Sequence, residues 1–214
     1  MTKETKNTDD LINSLCDGLE PKKACCPYSR ILLWAVFSVG YLLITFWYFG
    51  LRGDLAERLS DGNFIFEMAL ASMLLLSSAM VSSWLSFPDC HQKNSFKAVP
   101  VTLFATFIIW IVSHMFTSGM GVLSMMKLGH CATDGLYIEI IPFIAIVFLT
   151  IKGRTTAPYW SIFMNVLAVA AMGWISLRLT CSMDNMGHSF LNHLLPFSII
   201  GAATAVFARK IFKW

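Results

Sequence analysis

Two cysteines offer the most direct chemistry in this sequence. Cys131 stands in Leu128-Gly129-His130-Cys131-Ala132-Thr133-Asp134, and Cys181 in Leu179-Thr180-Cys181-Ser182-Met183-Asp184. Each piece reads as a short polar gap between long apolar runs, and the second is followed by Asn192-His193-Leu194-Leu195-Pro196. A thiol pair can close a disulfide, change redox state as a switch, or ligate a soft metal. Met120, Met125, Met126, Met183 and Met186 crowd the same two stretches, with His130 and His188 beside them. Thiolate, thioether and imidazole together suit copper(I) or zinc-like ions. The candidate metal ligands are therefore Cys131, Cys181, His130 and His188. A structural disulfide tying the two loops together is the other reading. It needs the two Cα atoms within about 7 Å, which spacing alone does not reveal.

The elements that must position these thiols are long and apolar. Of 214 residues, 56% are hydrophobic and 14% charged, well below the quarter or so of charged residues typical of soluble domains. The fold class expected is an all-α integral membrane protein with six transmembrane helices. The runs are Ile31–Leu51, then roughly Phe64–Phe87, Ala98–Ser118, Gly135–Ile151, Thr155–Leu177 and Gly187–Ala208. Each is long enough, or nearly so, to cross a hydrocarbon core of about 30 Å. The first starts after a polar, acidic N-terminus and reads as an uncleaved span rather than a signal peptide. Small residues, notably Ala168, Ala170, Ala171 and Gly173 and the run from Gly201 to Ala205, offer faces for close helix packing.

Lysine and arginine set the orientation. With the N-terminus inside, twelve of the sixteen fall on the inner side; only Arg52, Arg58, Lys127 and Arg178 fall outside. That bias predicts a multi-pass protein of the bacterial inner membrane with both termini cytoplasmic. Cys16, Cys25, Cys26 and Cys90 then face a reducing compartment, and Cys131 and Cys181 an oxidising one. Charged and imidazole groups inside spans are costly and mark function. Glu67, His114, Glu139, His188 and His193 all fall toward the outer leaflet and form a candidate accessory cluster beneath the cysteines.

Residues 1–29 form a cytoplasmic segment and residues 30–214 the transmembrane domain. Within the segment, residues 8–19 read as a short helix with Asp9 and Asp10 in its first turn. Leu11, Ile12, Leu15 and Leu19 fall on one face, and Pro21 should end it. About three turns are marginal alone in water, so the stripe needs a partner. That partner is either the inner ends of this chain's own spans or another protein.

With these features in this order, the chain resembles the NrsF-type membrane anti-sigma factors. The carrying residues are Thr8-Asp9-Asp10-Leu11-Ile12, the six spans, Cys131, Cys181-x-x-Asp184, His193-x-x-Pro196 and the terminal Arg209-Lys210-Ile211-Phe212-Lys213-Trp214. The resemblance spans essentially the whole length. It departs at Asn192, where the family often has an aromatic residue. It implies a regulator, not an enzyme, whose N-terminal segment holds an extracytoplasmic-function sigma factor. It also implies that Cys131 and Cys181 sense oxidants or heavy metals, without a resident cofactor beyond a transient soft-metal ligand and without direct contact to nucleic acid. Asp9, Asp10, Leu11, Ile12, Leu15 and Leu19 are the expected sigma-factor contacts, in the manner of a helix seated in a groove. Two other classes stay open. A quinone-linked thiol oxidoreductase usually needs a second cysteine pair on the same side. A membrane haem protein would use His114 and His193 as axial ligands. A transporter would place polar groups near the midplane, whereas those here are peripheral.

Overall fold

A computed structural model describes residues 8–17, 27–87, 94–117 and 130–212. Leu19, Cys25, Cys26, Cys90, Met120, Met125 and Met126 lie outside them. Helix and connecting turns make up the described residues, with no strand among them. The first helix, α1, runs Thr8–Cys16. Leu11, Ile12 and Leu15 are all exposed on it, so this stripe is not sunk into the chain's own bundle.

Six helices among the described residues are long and apolar enough to cross a membrane. They are α2 (Pro27–Phe49), α4 (Gly62–Leu85), α5 (Ala98–Thr117), α6 (His130–Ile151), α7 (Pro158–Thr180), and a composite sixth. A four-residue helix, α3 (Leu55–Arg58), lies between α2 and α4. The sixth span is built from α8 (Met186–Ser189), a π-helical turn over Phe190–Leu194 and α9 (Leu195–Val206). A last short helix, α10 (Ala208–Ile211), follows. Local signals explain several boundaries. Proline opens α2 and α7, where its missing N–H costs nothing. Gly50, at φ +76°, terminates α2 in the left-handed region that favours glycine. Asp61 caps α4 by accepting from the backbone N–H of Asn63.

One expectation needs correction. The fourth span begins at His130 rather than Gly135, so Cys131 lies in the first turn of α6 and not in a loop. The stretch Cys131-Ala132-Thr133-Asp134-Gly135 is polar enough to lower hydropathy, but it contains no helix breaker strong enough to delay the start. The N-terminal helix is described over Thr8–Cys16, and the expected continuation to residue 19 lies outside the described residues.

The bundle is organised around α7. Of its most apolar window 78% is buried, against 17% for α2 and for α5. Ala168, Ala170, Ala171 and Gly173 let neighbours approach. A Cβ on Gly173 would lie 2.0 Å from Glu139 Oε1 on α6. On α9, Gly201 takes the same role, since a Cβ there would lie 2.6 Å from Val166 Cγ1. Phe107 and Trp174 pack edge to face at the centre, as do Phe143 and Phe197. In the half of the bundle away from the cysteines, Asn165 ties α7 to Ser82 of α4 and Thr150 of α6. In an apolar surrounding such a polar knot fixes register, because an unpaired amide there is expensive.

Both ends of the bundle are tied. At one end Arg30 of α2 donates to the backbone carbonyls of Leu149 and Lys152, and Gly153 leaves room for its side chain. At the other end Tyr41 donates to the carbonyl of Tyr137, and the N–H of Arg52 donates to the carbonyl of Leu179. This second end carries the cysteines.

Candidate functional site

Two neighbouring clusters form the cysteine end. The first joins the start of α6, the end of α7 and the composite sixth span. Cys131 and Cys181 are both half-buried, with their sulfurs 3.5 Å apart. Cys181 stands just past α7 in extended backbone (φ −86°, ψ 126°), which turns the chain toward α8. Its sulfur lies 3.9 Å from Nε2 of His188. Asn185 accepts from the N–H groups of Gly187 and His188 and so fixes the first turn that carries His188. The amide of Asn192 lies 3.2 Å from His188 Nδ1 and donates to the His188 carbonyl, which holds that ring in place.

His193 completes the group. Ligand atoms of Cys131, Cys181, His188 and His193 all lie within 4.8 Å of one another. The π turn accounts for this. In a regular helix, residues five apart point about 140° away from each other. Here the N–H of Leu195 bonds back to the carbonyl of Phe190, five residues earlier, and the wider turn brings His193 beside His188. Their rings meet at 5.4 Å and 85°. Pro196 lies just beyond and has no N–H for the Asn192 carbonyl, a defect that the wide turn absorbs. His193 is buried, packs on Trp174, and neither ring nitrogen has a hydrogen-bond partner.

The second cluster is ionic. Arg178, in the last turn of α7, forks onto Glu67 of α4 at 2.7 and 3.1 Å. Trp174 Nε1 donates to the same carboxylate at 2.7 Å. The Arg178 guanidinium also reaches Asp184 at 3.2 Å and lies over the ring of Phe64. Asp184 further accepts from Arg52 at 2.8 and 2.9 Å and pairs with Arg58 at 2.6 Å. Arg52 makes a second fork onto Asp54, both bonds at 2.7 Å. Hydrogen bonds that Arg52 donates to Asp54 and then to Asp184 push the Arg52 pKa up. The Arg52 fork in turn pulls Asp54 well below the usual carboxylate range. Burial raises the Asp184 pKa, but the Arg52 hydrogen bond and the charges of Arg52, Arg178 and Arg58 outweigh it, and the net shift is downward.

The two clusters share the segment 181–184. Asp184, three residues after Cys181, clamps the thiol-bearing turn to the connection between α2 and α4 and to α7. That gives a physical role to the spacing Cys181-x-x-Asp184.

The residues singled out from sequence therefore separate. His188 and His193 join the thiols. Glu67 belongs to the ionic cluster. Glu139 is buried against Gly173, its Oε1 without a hydrogen-bond partner. His114 is half-buried and packs on Trp110 at 4.1 Å. His130 is exposed at the start of α6 and is not in the metal-capable group, where His193 is found instead. Asp10, Leu11, Ile12 and Leu15 lie on α1 and are exposed; Asp9 is in the same helix. Sequence reasoning missed the functional grouping of Arg52, Arg58, Arg178 and Asp54. The available signal was an arginine near a span end with an acid at the same depth of another span.

A family model described as NrsF, negative regulator of sigma F, matches residues 15–214. The match takes in all six spans and both cysteines and begins within α1, after Asp9, Asp10, Leu11 and Ile12. No curated protein and no solved structure matches the chain.

Proposed function

Because the chain belongs to the NrsF family of negative regulators of sigma F, we propose that it is a membrane-bound anti-sigma factor for an extracytoplasmic-function sigma factor. Residues 1–29 lie in the cytoplasm and α1 sequesters the sigma factor. Cys131 and Cys181 face the periplasm of the inner membrane, and oxidant or soft-metal chemistry at this pair releases it.

The observation that carries the sequestering step is the stripe of Leu11, Ile12 and Leu15, 48%, 51% and 67% exposed on a helix of nine residues. Such a stripe is a ligand for an apolar groove. Asp10 beside it complements the basic surfaces that a sigma factor offers to polymerase and promoter. Orientation is supported by Arg30, Lys97, Lys152, Arg154, Arg209 and Lys210, which all belong to the end opposite the thiols. The sensing step is supported by the 3.5 Å approach of two thiols that the sequence keeps fifty residues apart. Linking them ties the start of α6 to the end of α7. A change in that tie reaches the inner ends because the helices are stiff and packed. The role is regulatory and involves no catalysis.

A reporter strain carrying a promoter of the cognate sigma factor tests the reading. Truncating a buried leucine anchor costs a few kcal/mol, roughly 10²-fold in affinity. Leu11→Asp and Ile12→Asp should therefore give constitutive transcription at normal protein levels. Cys131→Ser, Cys181→Ser and the double variant should lose the stress response to the same extent, because either thiol alone is useless. Normal repression by both Asp variants would remove α1 as the binding element. One cysteine variant responding like the parent would remove the pair as sensor.

A further inference from the structure

We propose that Cys131, Cys181, His188 and His193 form a four-coordinate binding site for a zinc-like divalent cation, zinc or cadmium. The inference deepens the sensing role given above and rests on it for its biological use, but the site itself stands on geometry. Four ligand atoms of the right kinds lie within 4.8 Å of one another. A tetrahedral ion with bonds of about 2.3 Å to sulfur and 2.0–2.1 Å to nitrogen requires ligand separations of roughly 3.4–3.8 Å. The sulfurs are 3.5 Å apart and Cys181 lies 3.9 Å from His188 Nε2. Closing the set needs shifts of an ångström or less, which side-chain rotation supplies.

The chemistry agrees with the geometry. Binding displaces the two Sγ protons, and the ion is held by two thiolates and two neutral imidazoles. Two negative sulfurs cancel the divalent charge, so the filled site is neutral. Neutrality suits ligands at the edge of a membrane, where His188 is 8% exposed and His193 1%. A monovalent ion in the same ligands would leave a net negative charge. Two sulfurs and two nitrogens in a tetrahedron select zinc-like ions over magnesium or calcium.

His193 is the second, independent pointer to a ligand. A buried imidazole with both nitrogens unpartnered carries an uncompensated desolvation cost. Nothing among the described residues answers it, and a nitrogen of the ring lies within 4.8 Å of the ligand atoms of Cys131, Cys181 and His188. Coordination of one nitrogen by a cation removes that cost. His188 is already oriented by Asn192. Ligation through Nε2 moves the proton of that ring to Nδ1, and the Asn192 amide must then turn its oxygen to accept it. The cysteines are the more exposed pair and the histidines lie beneath, so an ion enters past the sulfurs and is closed in from below. A set with four protein ligands and no open position is a binding and sensing site rather than a hydrolytic one.

The test uses the full chain in detergent micelles, with thiols kept reduced by a phosphine. Cobalt(II) and cadmium(II) are titrated, following the visible bands of tetrahedral cobalt and the thiolate charge-transfer absorption. The expected result is one ion per chain, with both signals lost in Cys131→Ser and Cys181→Ser. His188→Gln and His193→Gln should weaken binding at least about 10–100-fold, the loss seen when even a supporting partner of a ligand is removed. Thermal unfolding of the metal-free variants reads folding separately. If His193→Gln unfolds, His188→Gln, nearer the surface, carries the test alone. Absence of binding to the reduced parent protein overturns the site, and so does parental affinity in the histidine variants. If those variants bind normally while the cysteine variants are blind in the reporter strain, the tetrad falls and the thiol sensor stands. If the tetrad binds as expected but Leu11→Asp still represses, the site stands and the proposed anti-sigma mechanism falls.

Discussion

The Arg178–Glu67 pair supports a prediction whose asymmetry can be worked out from its neighbours. Arg178 is 4% and Glu67 1% exposed, so both charges are out of water. Arg178 keeps a second counter-ion, Asp184, at 3.2 Å. Among the described residues, Glu67 has only the Trp174 indole N–H besides Arg178. Glu67→Gln therefore removes charge-assisted bonds but strands no charge, and should destabilise by about 1.5–3 kcal/mol. Arg178→Met leaves a buried carboxylate with one neutral donor, and should cost about 3–5 kcal/mol. The double variant Glu67→Gln/Arg178→Met removes the stranded charge as well. It should be more stable than Arg178→Met alone, within about 1–2 kcal/mol of the parent, because neutral replacements of buried pairs are often nearly neutral in energy. Unfolding of the purified protein in mixed micelles with increasing sodium dodecyl sulfate, followed by far-ultraviolet circular dichroism, gives the four free energies of the cycle. The reasoning fails if Glu67→Gln costs as much as Arg178→Met, or if the double variant equals the sum of the singles.

Gly173→Ala gains up to about 1 kcal/mol of helix propensity. It must, however, push Glu139 off three contacts at 2.0 to 2.5 Å, an overpacking worth about 1–3 kcal/mol; the same unfolding assay should show a net loss. The acid side of the stability profile should follow the carboxylates at the cysteine end. Asp54 and Asp184 have folded pKa values below the ordinary one, so their contribution is complete above about pH 4 and is lost as pH falls through the lowered values. Thermal midpoints should be flat from about pH 8 to 5 with respect to this cluster and drop below about pH 4, and Asp184→Asn should flatten that drop.

Much of the architecture was legible in sequence because a bilayer is a simple filter. Runs of about twenty apolar residues report themselves. Cys131 and Cys181 stood out because each falls in a polar gap between such runs, and the structure brings them together at one end of the bundle. What sequence did not reveal was non-local or set by backbone detail. His193 reaches the thiols only because the turn around it is wide, and Pro196 hints at a defect there without saying which way the ring will swing. His130, adjacent to Cys131, looked the nearer ligand, yet neighbours in sequence on a helix face different ways. Counting lysines and arginines treated Arg52, Arg58 and Arg178 as topology markers, which cannot show that two arginines of the α2–α4 connection and one of α7 converge on Asp184. The start of α6 was misjudged because polarity was mistaken for the absence of helix.

The position of α7 has a consequence for how the protein is made. Arg178, in the last turn of α7, and Asn165 are the side chains of this helix that lipid alone would accommodate worst. Their partners are Glu67 and Ser82 on α4 and Thr150 on α6. Every one of these is synthesised before α7 leaves the ribosome. The polar groups of α7 therefore enter a membrane where their partners already wait, and the helix can pass from the translocon directly into a prepared slot between α4 and α6. Chain order, as much as composition, makes so polar and so enclosed a span insertable.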